Sequence, residues 1–171
     1  ARKVYAVDTL CASMGQGLLL YLAAQKKAAG ATIEQVRDYA EETKWKICHW
    51  FTVENLMHLK KGGRVSATAA IVGTVLNIKP VMGATPQGTI CQKDQARGVN
   101  RALKRMADYV AEEIKNPAEK IVAISHCNCP ERAQFVKEEI AKRISVKDFL
   151  ILDTAGVSSL YASDGGIIVV A

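Results

Sequence analysis

The chain has 171 residues, 49% of them apolar and 23% charged, with a formal net charge of +6. That suffices for one domain with a substantial core, or for one domain and part of another, and it excludes a disordered chain. Lys and Arg are interspersed with Glu and Asp along helix-like stretches, without aromatic interleaving; this argues against a nucleic-acid binder and fits an anionic small ligand or an acidic partner surface.

In chain order, residues 4–9 read as a strand that runs into Ser13-Met14-Gly15-Gln16-Gly17. An apolar helix over 18–29 follows, ended by Gly30. Thr32 caps a second helix reaching about Lys44, with Glu34 and Gln35 in its first turn. Residues 47–53 are strand-like and 54–60 form a short helix. That helix is closed by Lys60-Lys61-Gly62-Gly63-Arg64, and a further apolar segment runs from Ala69 to Leu76. Strands over 78–84 and 87–93 face each other across Thr85-Pro86-Gln87-Gly88. Val99, Leu103, Met106, Val110 and Ile114 recur at helical spacing and predict a long amphipathic helix, with Lys93 and Arg97 on one face of its start. Asn116-Pro117 breaks it. Residues 121–125 form a strand, and Pro130 opens another helix with Phe135, Ile140 and Ile144 as its inner stripe. A strand over 149–153, a loop or short helix over 156–166 and a buried last strand over 167–170 complete the chain. Alternating helices and strands around one hairpin predict an α/β fold: a mixed β-sheet with flanking helices.

One stretch suits an acidic ligand with apolar walls, and others suit an anion or a polar pocket mouth. Two glycines followed by Arg64 place a guanidinium beside a turn where the backbone can approach closely, and a guanidinium holds a carboxylate or phosphate through paired hydrogen bonds. Helix capping with a solvated arginine is the alternative. Ser13, Gly15 and Gly17 stand where a strand gives way to a helix, whose first amides attract anions; plain capping by Ser13 explains them too. Ser158, Ser159, Ser163 and Asp164-Gly165-Gly166 would line a polar pocket mouth or make an ordinary turn. Lys93 and Arg97 form either a solvated basic face or a surface for an acidic ligand or partner. His126-Cys127-Asn128-Cys129 lacks the second ligand pair of a tetrahedral zinc site, and five cysteines without framework spacing read as reduced thiols in a cytoplasm. No run of about eighteen apolar residues marks a membrane span. No Ser–His–acid set, paired carboxylates or phosphate loop assembles a catalytic centre, so the chain reads as a binder.

Taken together, these pieces resemble the DegV family of bacterial lipid-binding proteins. The resemblance rests on Val7-Asp8-Thr9 with Ser13-x-Gly15-x-Gly17, then on residues 51–56 followed by Leu59-Lys60-Lys61-Gly62-Gly63-Arg64. Leu76-Asn77-Ile78-Lys79-Pro80, Lys93-x-x-x-Arg97, Ile124-Ser125-His126 and Gly165-Gly166 complete it. It implies a C-terminal portion of a longer protein: 1–45 the remnant of an N-terminal α/β domain, 46–171 a C-terminal α/β lipid-binding domain. It further implies one long-chain fatty acid held between two α/β domains and presented, with no chemistry by this chain, to a separate ATP-using fatty acid kinase subunit in the cytoplasm. By the same resemblance Leu59, Ile71, Val75 and Met82 would line the acyl tunnel. Ser13, Gly15, Arg64, Ile71, Met82 and Ser159 become the candidate ligand-binding residues, and Arg97 the partner-binding one. The fatty acid is the only ligand implied, with no metal or cofactor. The family's histidine and Gly-Pro-Gly element is replaced by Ala162 and Asp164-Gly165-Gly166, the mark of a divergent branch. The competing readings are a phosphate- or sugar-handling enzyme subunit of related fold, and a non-catalytic interaction module.

Overall fold

The computed structural model describes residues 3–54, 56–65 and 77–171. Among these, six strands form one open mixed sheet in the order β3-β2-β1-β6-β4-β5. The strands are β1 (His49–Thr52), β2 (Ile78–Ala84), β3 (Ile90–Arg97), β4 (Ile121–His126), β5 (Asp148–Asp153) and β6 (Ile167–Val170). Only β4 and β5 run parallel; every other pair is antiparallel. The expected α/β class with a mixed sheet is therefore the observed one.

Two helices cover one face of the sheet. In α4 (Val99–Glu113), Leu103, Met106 and Val110 fall on one side at helical spacing and are fully buried, while Arg101, Lys104 and Arg105 stay exposed. In α5 (Pro130–Ala141), Pro130 occupies the first turn, where its missing N–H costs nothing. The buried stripe of α5 is Ala133, Val136 and Ile140; Phe135 and Ile144, expected inside, only flank it. These side chains close over Trp50, Val81, Val122, Ile124, Ile167 and Val169 from the sheet, and together they form the main core. The other face carries α1 (Met14–Ala28) on β4 and β6, through Met14 and Leu18 against Ala123 and Val170. It also carries the short α3 (Met57–Lys61), where Leu56 and Leu59 pack on Met82. With apolar layers on both sides, β4 is buried along nearly its whole length, as a central strand must be.

Local chemistry sets the element ends. The Thr32 hydroxyl accepts the Gln35 N–H and the Gln35 side chain accepts the Thr32 N–H, a capping box contributing about 1 kcal/mol to α2 (Ile33–Thr43). A 3-10 turn over Lys44–Lys46 follows. The last helix, α6 (Gly156–Ala162), takes up the first part of the 156–166 stretch, and residues 163–166 form a turn.

Four expectations need correction. Residues 4–9 form no strand, because no described strand lies beside them to take their backbone hydrogen bonds; Tyr5 instead donates its hydroxyl to Glu34, and Arg37 stacks over the Tyr5 ring. Ser13 makes no side-chain cap; α1 begins directly after it, four residues earlier than expected, and Ser13 itself has φ 51°. The second hairpin strand starts at Ile90, not Gln87, because the Thr85 and Thr89 hydroxyls close the turn onto each other at 2.7 Å. Finally, Lys93 and Arg97 lie on β3, not on the start of a helix, and Gly98 at φ 83° separates them from α4. Along β3 a bulge opposite Val81 and Met82 turns two neighbouring side chains toward α4: Lys93 pairs with Glu113 at 2.6 Å and Asp94 with Arg105 at 2.9 Å.

Candidate functional site

Cross-strand partners share a face of the sheet, so the strand register reads out what that face presents. On the face away from α4 and α5, Met82 lies opposite Phe51, Phe51 opposite Ile168, Ile168 opposite Ser125, and Ser125 opposite Leu152. The next row on this face runs His49, Val170, Ala123, Leu150, and α1 lies along it through Met14, Leu18 and Leu22. Beyond the first row stands α6. Its Ala162 is packed so closely on Gly166 that a Cβ there would overlap it, and its Tyr161 joins the cluster of Leu56, Leu59 and Met82. The row from Met82 to Leu152 thus forms a strip between α1 on one side and α3 with α6 on the other.

Several of the candidate residues border this strip. Gly15 sits in the first turn of α1 directly on the His49 ring, and any side chain there would collide with the imidazole. Met82 is the buried end of the strip, 2% exposed. Arg64 is exposed; its guanidinium donates to the Gly62 carbonyl, which closes α3, and lies 5.7 Å from the centre of the Tyr161 ring. Ser159 shares a 2.8 Å hydrogen bond with Thr154, which ties α6 to the end of β5. Ser13 stands at the first turn of α1 beside Gly15, half-buried. Ile71 and Val75 lie outside the described residues. Arg97 is separate from the rest: it is exposed at the end of edge strand β3, next to a surface cavity of about 350 Å³ with Ile78, Gln95 and Ala96.

The polar surroundings are unevenly spread. Around the Met82 end an apolar cluster gathers Val53, Leu56, Leu59, Ile90 and Tyr161. Toward β4 and β5 the strand ends carry His126, Asp153, Thr154 and the 163–166 turn. His126 is buried; its Nδ1 accepts the Cys129 N–H at 3.3 Å and lies 3.3 Å from an Asp153 carboxylate oxygen. His58 on α3 donates from Nδ1 to the Leu160 carbonyl at 2.6 Å, with the Ser163 hydroxyl 3.3 Å from the same nitrogen, and so fastens α3 to α6.

A clasp holds this edge of the strip. Glu54, just after β1, accepts from Lys79 on β2 at 2.5 Å and from Arg132 on α5 at 2.5 Å; Arg132 also donates to the Gly165 carbonyl at 2.7 Å. Burial pushes the Glu54 carboxyl up, but the hydrogen bonds from Lys79 and Arg132 outweigh it and hold the group below its ordinary value. This explains the lysine of Ile78-Lys79-Pro80: it locks two strands together. No local pattern marks its partner, because Glu54 lies 25 residues before Lys79 in the chain.

Other electrostatics leave little reactive chemistry here. Burial pushes the His49 imidazole down to about 4, so it is neutral near pH 7. Burial, helped by Asp8, pushes the Cys11 thiol up to about 11, and burial also raises Cys48 and Cys129, which keeps these thiols protonated and poorly nucleophilic. Among the described residues no group of three or more His, Cys, Asp or Glu side chains could hold a metal ion, His126 to Cys129 included. No described helix is long and apolar enough to cross a membrane.

The sequence model of the DegV family, described as an uncharacterised protein family, matches residues 1–171. A DegV domain-containing protein of Clostridium perfringens is 43% identical over 145 residues, 85% of this chain and 50% of the relative. The chain therefore spans about half the length of that curated relative. A DegV family protein of Ruminococcus gnavus, refined with vaccenic acid, superposes with a TM-score of 0.91 at 44% identity, covering 100% of this chain and 61% of that one. The fatty acid kinase B3 protein of Streptococcus pneumoniae, loaded with linoleic acid, superposes with a TM-score of 0.88 at 26% identity, covering 98% of this chain and 59% of that one.

Proposed function

The chain belongs to the DegV family, and on that premise we propose that it forms part of a carrier that binds one long-chain fatty acid and presents its carboxylate to a partner kinase. The acyl chain lies against the strip of Met82, Phe51 and Ile168, with the remaining length of the protein, which relatives have and this chain does not span, closing the other side. One observation carries the reading. A sheet face that is apolar across its strands, bordered by helices and joined to a polar end, matches a ligand with a long apolar body and one charged head. Fatty acids in the Ruminococcus gnavus and Streptococcus pneumoniae structures support it.

In this reading Gly15, Ser13 and α1 form one wall, and Arg64, Tyr161 and Ser159 belong to the other. Ile71 contributes from the segment between α3 and β2. Arg97 meets the kinase. The division into residues 1–45, ending an N-terminal domain, and 46–171, a lipid-binding domain, is part of the same proposal. So are a cytoplasmic location and the assignment of any phosphoryl transfer to the partner.

Native mass spectrometry of the full-length protein after gentle purification tests it. A mass increment of one fatty acid per chain is expected. A spectrum that remains ligand-free after incubation with palmitate or oleate would sink the reading.

A further inference from the structure

We infer that the Ser125 hydroxyl hydrogen-bonds the carboxylate end of the ligand and fixes which way the acyl chain lies on the sheet. The proposal rests on the fatty-acid reading above and adds a contact and an orientation to it. Ser125 is the only polar residue in the row Met82, Phe51, Ile168, Ser125, Leu152. It is 3% exposed, and its Oγ has no hydrogen-bond partner among the described residues. A buried hydroxyl left without a partner is destabilising, and native proteins place few of them without a use. Thr52 is also buried and unpartnered, but it alternates with Phe51 along β1 and so faces the closed core under α4 and α5. Ser125 instead faces the strip between α1 and α6.

The polarity along the strip sets the direction. From the apolar and aromatic cluster that holds Met82, the row crosses β1 and β6 before reaching Ser125 on β4. Three strand spacings of roughly 4.8 Å put the hydroxyl about 14 Å from Met82. An extended acyl chain spans that distance, with its methyl end toward Met82 and Leu59 and its carboxylate at Ser125. Ser125 is a donor to an anionic acceptor, and such hydrogen bonds are among the stronger ones.

The test uses the full-length protein, stripped of lipid, and oleate as the probe. Ser125→Ala should lower oleate affinity about tenfold, because one hydrogen bond to a charged group is lost. The ligand-free variant should melt at the same temperature as the wild type or higher, since an unpaired buried hydroxyl has been removed. Oleate labelled with carbon-13 at its carboxyl should show a changed bound resonance in the variant. Unchanged affinity and resonance, with wild type binding oleate normally, would overturn this assignment and leave the carrier reading intact. A lower melting temperature of the ligand-free variant, without an affinity change, would make the hydroxyl a structural group and overturn it equally. If the wild type itself binds no oleate, the carrier reading fails and this proposal with it.

Discussion

The neutral His49 imidazole beneath Gly15 couples pH to the packing of α1. Its ordinary value is 6.5, and burial lowers it to about 4 in the folded chain. Between those values the unfolded state binds a proton that the folded state rejects, so stability falls as pH drops from about 6.5 toward 4 and levels off below. The full effect is on the order of 3 kcal/mol, reduced to the extent that the ring can reach water. Urea denaturation from pH 7 to pH 4 should show this loss, and His49→Phe should flatten that part of the profile. A wild-type slope unchanged by the substitution would mean that other groups set it. Gly15 itself was legible only as a small residue at a helix start, open to close approach by an anion or to plain capping by Ser13. The group that comes close is an imidazole from a strand 34 positions away, and no local pattern announces such a contact.

Among elements, the Glu54 clasp is where ordinary strand pairing gives way to charge. It joins the end of β1, the start of β2, α5 and the 163–166 turn through side chains, and so adds to the backbone pairing of β1 with β2 and β6. Glu54→Gln keeps the shape but removes the counter-charge of Lys79, whose side chain is only 14% exposed. A cost of roughly 1–2 kcal/mol follows, below that of a fully buried pair because Glu54 and Arg132 are each about a third exposed. The wild-type carboxyl is held below its ordinary value, so its contribution is present above 4.5 and is lost as pH falls through the lowered folded value. The gap between wild type and variant in chemical denaturation should therefore be widest near neutral pH and close in acid; a gap independent of pH would contradict the clasp. Helices with strong stripes, such as α4, and the capped α2 were readable from spacing and from Thr32. The reach of β3 to Arg97 was not, because its bulge breaks the alternation that identifies strands and its charges resemble an exposed helix face. Residues 4–9 carry strand-like composition, yet a strand is made by its neighbour.

At the scale of the whole molecule, the order of the motifs was legible and the meeting of distant ones on a single sheet face was not, since register and crossovers decide it. That geometry separates two roles. β3 and β4 are four strands apart in the sheet, about 19 Å at ordinary strand spacing, so Arg97 cannot touch a carboxylate held at Ser125. Arg97 is exposed and has no acidic partner among the described residues, and exposed Arg101 and Lys104 follow it on α4. An exposed cation of this kind contributes little to folding but attracts an acidic surface and raises the rate of encounter. In the full-length protein, Arg97→Ala should therefore leave oleate affinity and melting temperature nearly unchanged. Acyl-phosphate formation in the pair reconstituted with the proposed partner kinase should slow, and the deficit should grow as salt is lowered, because screening shortens the reach of such charges to about 10 Å at 0.1 M. A fall in oleate affinity would place Arg97 on the ligand strip instead. Unchanged turnover at low salt would remove it from the kinase-facing surface.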